Sequence, residues 1–131
     1  MKGKRMYRTV AALLALTACS SGTLTPAQKT ERCIAFAAAV AKAGLPATPD
    51  EKTARQVGDS LDALLSRLGT PAIHDPATRV HQQLHDIESA RKRGDAAAAD
   101  AAAAKAVTAV GQVATACDLP LTEFVGKPTT S

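Results

Sequence analysis

Two imidazoles stand four residues apart in His81-Gln82-Gln83-Leu84-His85, and a carboxylate, Glu88, follows one turn later. On a helix, positions i, i+4 and i+7 lie along one line. Two imidazoles at that spacing can chelate a divalent metal, and a carboxylate one turn on can supply a third ligand. The line sits about 100° from the centre of the apolar stripe beside it, at 3.6 residues per turn. It is a flank rather than an interior, so the expectation is a pair of boundary histidines with weak metal binding and no resident cofactor. The His-Glu-x-x-His pattern of metalloproteases is absent, because glutamine follows His81. His74 precedes the expected helix start at Pro76 and need not share this face. Ser60, Ser66 and Ser89 fall inside expected helices with no recognisable base beside them. There is no nucleophile elbow, no phosphate-cradling glycine loop and no Cys-x-x-Cys. The pattern points away from an enzyme.

Three cysteines remain: Cys19, Cys33 and Cys117. Residues 1–8 carry Lys2, Lys4, Arg5 and Arg8 and no acid, and residues 9–18 are apolar or small. A basic region, a short apolar run and small residues at the end describe a secretory signal peptide. The run is about ten residues, half of the roughly 20 a membrane-spanning helix needs. It closes on Leu16-Thr17-Ala18-Cys19. That tetrapeptide resembles the lipobox of bacterial lipoproteins. The resemblance covers residues 1–19. It implies cleavage before Cys19, a diacylglyceryl group on its sulfur, and a membrane partner held through that lipid. The chain would then work on the outer face of the cytoplasmic membrane or in the periplasm. Residues 19–25 read as a short polar tether with a reach of about 15 Å.

Export leaves Cys33 and Cys117 as a single pair in an oxidising compartment, so a disulfide between them is expected. Removing the four bases of residues 1–18 from the sixteen in the chain leaves twelve bases against twelve acids. The formal charge of +4 therefore belongs to the leader. A neutral mature domain lacks the basic footprint of a nucleic-acid binder. A protein partner in the envelope remains open, as does a small ligand held between helices.

The elements that must position these residues are legible from their punctuation. Helices are expected over residues 26–43, 49–68, 76–93 and 95–118, followed by a tail over 119–131. Thr25-Pro26-Ala27-Gln28 forms a capping box with proline at the first helical position, and Gly44 then Pro46 close that helix. Thr48-Pro49-Asp50-Glu51 repeats the signature. Ala54, Val57, Leu61, Leu64, Leu65 and Leu68 form an apolar stripe at three- and four-residue steps. Asp75-Pro76 opens the third, with Ala77, Val80, Leu84 and Ile87 as its stripe. Arg91-Lys92-Arg93 closes it as cations at a helix C-terminus. Arg93-Gly94-Asp95 spells an adhesive tripeptide, but each residue already has a turn role: cation, stop and N-cap. The alanine-rich fourth segment has high helix propensity, and Ala103, Val107, Val110, Ala114 and Cys117 line one face. Leu121, Phe124 and Val125 are expected to fold back as a cap. Four helices with short loops predict an all-α, up-down-up-down bundle with one disulfide. An open pair of αα-hairpins is the alternative. Residues 93–107 faintly resemble the turn and second helix of a tetratricopeptide unit, but only one such unit occurs and a solenoid needs about three.

Overall fold

The computed structural model describes residues 24–126. The expected leader, Cys19 and most of the tether lie outside the described residues, as does the tail beyond Gly126. Four helices make up the domain: α1 (Pro26–Ala41), α2 (Glu51–Leu65), α3 (Pro71–Lys92) and α4 (Ala96–Cys117). A single 3-10 turn follows at Leu121–Glu123. No strand occurs among the described residues.

Helix α1 starts as its sequence dictates. The Gln28 amide donates to Thr25 Oγ1 at 3.1 Å, and the Thr25 amide donates to Gln28 Oε1 at 3.0 Å. Two orphan donors are thus satisfied reciprocally. The helix stops at Ala41, two residues before the expected end, and Gly44 follows at φ +73°. Its inward face is Cys33, Phe36, Ala37 and Val40.

The start of α2 differs from expectation. Asp50, not Thr48, is the N-cap, and its carboxylate accepts the Thr53 amide at 2.7 Å. Thr48 is committed elsewhere. Its hydroxyl donates to Asp100 on α4, and its carbonyl accepts the Arg91 guanidinium at 3.2 Å. The same guanidinium reaches the Pro49 carbonyl at 3.1 Å. These long-range bonds hold residues 48–49 outside the helix. At its other end α2 stops at Leu65 rather than residue 68, and Leu68 is buried from the following turn.

Helix α3 begins five residues earlier than expected. Thr70 precedes Pro71 as the N-cap, and Pro76 lies inside the helix. Pro76 has no amide to give the Ala72 carbonyl. Only one bond near the helix start is lost, and Ala72 is exposed, so water can serve its carbonyl. His74 is therefore a helical residue, with Nδ1 3.8 Å from Asp75. The stripe of Ala77, Val80, Leu84 and Ile87 is fully buried as expected.

Helix α4 is capped by Asp95, which accepts the Ala98 amide at 3.0 Å. It buries Ala99, Ala102, Ala103, Ala106, Ala109 and Ala114 with Val110 and Val113. These short side chains let α3 and α4 pack closely along their length. At Asp118 the backbone turns left-handed, at φ 57°.

The helices alternate in direction. Arg32 near the start of α1 donates to the Arg67 carbonyl just past the end of α2. Arg91 at the end of α3 holds the start of α2. Arg79 early in α3 donates to Gln112 late in α4 at 2.6 Å. The disulfide between Cys33 and Cys117 joins the second turn of α1 to the last turn of α4, with a Cα separation of 5.9 Å. It closes the bundle and excludes an open array.

The tail runs back along α1. The 3-10 turn packs against both α1 and α4, and the Gly126 amide donates to the Leu45 carbonyl at 2.8 Å. Phe124 and Val125 are buried as expected, whereas Leu121 stays 41 % exposed. The tail thus lies against α1 and α4, with Phe124 fully buried at the end of its turn.

Candidate functional site

Helix α3 presents His81, His85 and Glu88 along its α2 side. The two imidazoles meet: Nε2 of His81 and Nε2 of His85 are 3.2 Å apart, with the rings edge to face at 84°. Gly58 on α2 lies beside the His85 ring: a Cβ there would stand 3.9 Å from His85 Nε2, in ordinary van der Waals contact. The His81 side chain is only 18 % exposed, and Asp62 of α2 places Oδ1 3.8 Å from its Nε2. Burial pushes the His81 pKa down, and the neighbouring His85 pushes the same way, against the pull of Asp62 and Asp59. His81 is therefore held neutral more firmly than a free histidine.

Glu88 is brought to His85 but not to the shared point. It is the buried charged residue of the core at 8 % exposure. Its Oε1 is 3.7 Å from His85 Nδ1, the far nitrogen, and its Oε2 is 3.5 Å from Lys92 Nζ. The carboxylate that lies near His81 Nε2 is Asp62. The sequence reading did not reach it, because its place beside His81 depends on how α2 and α3 dock. Among the described residues, no three or more His, Cys, Asp or Glu side chains already stand in a metal-holding arrangement.

The other sequence motifs are taken up by the fold. Arg91 clasps the start of α2, Lys92 pairs with Glu88, and Arg93 caps α3. Gly94 adopts φ +72° and Asp95 caps α4, so the tripeptide is a turn. The Ser60 hydroxyl donates to the Gln56 carbonyl at 3.0 Å, and Ser66 is the C-cap of α2. Hollows between helices lie beside Gln83, Asp86 and Ser89, beside Arg79, Thr108 and Gln112, and beside Arg32, Leu64 and Arg67. At about 290, 280 and 260 Å³ they fall below the roughly 300–1,000 Å³ of small-molecule sites. A larger depression of about 630 Å³, beside Pro26, Thr30 and Ile34, lies on the face of α1 alone. The exposed large apolar side chains among the described residues are Ile34, at 53 %, and Leu121. No described helix is long and apolar enough to cross a membrane.

Compared with known proteins, the chain matches no family model, no curated protein and no solved structure.

Proposed function

We propose that the chain is an exported lipoprotein whose helical domain works on the extracytoplasmic side of the membrane as a non-catalytic interaction module. The observation that carries this reading is the Cys33–Cys117 bond in a domain that follows a leader ending in Leu16-Thr17-Ala18-Cys19. Cytosolic thiols are kept reduced, whereas exported domains retain structural disulfides. A domain built on alanine, with Phe36 and Phe124 as its buried aromatics, gains from such a covalent closure.

An anchor at Cys19 would hold the chain by the start of α1, the end of the bundle that carries the disulfide. Cys19 precedes Pro26 by seven positions, and Cys33 lies two turns into α1. A lipid at Cys19 would hold the domain within about 15 Å of the headgroups, with its most tightly tied end nearest the membrane. An acyl group with a short polar tether gives anchorage without a spanning helix.

Intact mass of the chain from the membrane fraction tests this. The expected species lacks residues 1–18 and carries diacylglycerol at Cys19. Cys19→Ser should abolish the added mass and leave the precursor uncut. A soluble product with an unmodified Cys19 overturns the reading.

A further inference from the structure

We propose that His81 Nε2, His85 Nε2 and the Asp62 carboxylate form a site for one divalent transition-metal ion across the α2–α3 seam, with Glu88 as a positioning residue. Imidazole nitrogens each lie about 2.0–2.1 Å from a bound zinc, which in tetrahedral geometry sets them roughly 3.3 Å apart. The two Nε2 atoms are already 3.2 Å apart. No movement of the backbone is needed to bring them together, because the i, i+4 spacing on α3 does so.

Only the two imidazoles converge as they stand, and Asp62 becomes the third donor by rotating its side chain. Its Oδ1 is 3.8 Å from His81 Nε2, and its side chain is 74 % exposed, free to swing toward an ion between the rings. Glu88 acts from behind. A ligating histidine characteristically gives its other ring N–H to a carboxylate, which fixes the tautomer and the ring plane. Glu88 stands beside that nitrogen, 3.7 Å from His85 Nδ1 and just outside hydrogen-bond distance, nearly buried and steadied by Lys92, so a small turn of the ring completes the bond when metal binds. A proton on Nδ1 leaves the Nε2 lone pair facing His81. Two imidazoles and one carboxylate suit zinc, nickel or copper rather than magnesium or calcium. The remaining coordination positions face solvent and take water. The site therefore binds in the micromolar range, about 1–100 μM, and not as tightly as a closed structural site.

The test titrates zinc chloride into the full chain, in detergent and without a histidine tag, by calorimetry and by NMR of the imidazole Hε1 signals. One site is expected, with shifts at His81 and His85 and none at His74. His81→Ala and His85→Ala should each remove it with helicity unchanged by circular dichroism, and Asp62→Asn should weaken it. Glu88→Gln should weaken it about tenfold or more, the usual effect of losing such a partner. Absence of any heat or shift at millimolar zinc overturns the proposal, because the 3.2 Å contact is then a plain histidine–histidine hydrogen bond. Binding that survives His81→Ala and His85→Ala overturns it equally. An unchanged affinity in Glu88→Gln removes the positioning role.

Discussion

Asp50 holds the first turn of α2 by accepting the Thr53 amide, and that backbone hydrogen bond is the main reason its carboxyl titrates below the ordinary range. A carboxylate whose pKa is lower in the folded than in the unfolded chain stabilises the fold above the unfolded value. The stability is lost as pH falls through the folded value. Asp50→Ala should therefore lower the melting temperature at neutral pH, and the gap to the parent protein should close in acid. Asp50→Asn should keep most of the cap, since asparagine is as good an N-cap, while losing the pH dependence. Thermal melts across pH check both; a gap that widens in acid would refute the assignment. This residue also marks the reach of sequence reading. Thr48-Pro49 and Asp50-Glu51 both look like helix starts. Local pattern cannot choose between them, because the choice is made by Arg91, more than 40 residues away. His81 and His85 were legible for the opposite reason: their meeting needs only one helix.

At the scale of elements, the same limit explains α3. Thr70-Pro71 and Asp75-Pro76 carry the same signature five residues apart, and the earlier one starts the helix. The later proline is absorbed because Ile73, Pro76 and Ala77 are all buried, so tertiary packing outweighs one missing hydrogen bond. The buried faces of α1 and α3 were readable from periodicity, since burial and the 3.6-residue repeat are one constraint, whereas Leu64 and Leu65 of α2 and Val107 of α4 are only half buried and α4 also turns Ala99, Ala106, Ala109 and Val113 inward. The fold-back of the tail was readable from its apolar residues, and Phe124 and Val125 are buried, but its course past α1 was not, because so short a segment carries no period and Leu121 stays exposed. Its anchor is Phe124, fully buried at the end of the turn that packs on α1 and α4. Phe124→Ala should cost about 3–5 kcal/mol in urea unfolding, as large aromatic truncations in cores do. Leu121→Ser on the same segment should cost far less, about 1 kcal/mol or below, because 41 % of its surface is already in water. Equal losses at the two positions would show that the tail does not dock as a unit through Phe124.

For the whole molecule, the helices are unequally attached. Helices α2, α3 and α4 pack broadly in sequence, α3 on α4 most of all, while α1 meets α4 directly only over a short stretch. The edge is closed by three features: the Cys33–Cys117 bond, the tail lying against both helices, and an exposed Lys29–Asp118 ion pair at 3.8 Å. An exposed pair contributes little. The disulfide spans a sequence separation of 84 residues. On the chain-entropy model a loop of that length restricts the unfolded chain by about 4–5 kcal/mol, and real proteins commonly realise about 2–4. That is comparable with the total stability of many small domains. Replacing both cysteines by alanine should therefore lower the unfolding free energy by about 2–4 kcal/mol. Reduction of the parent protein should reproduce the loss. The place of the damage follows from the packing. Amide exchange should accelerate first in α1 and the tail, whereas amides of the α3–α4 pair should stay the slowest, since local opening begins where buried contacts are fewest. Uniform acceleration across all four helices would mean that the bond restrains the unfolded chain alone and that α1 is held as firmly by its side chains as the other helices are.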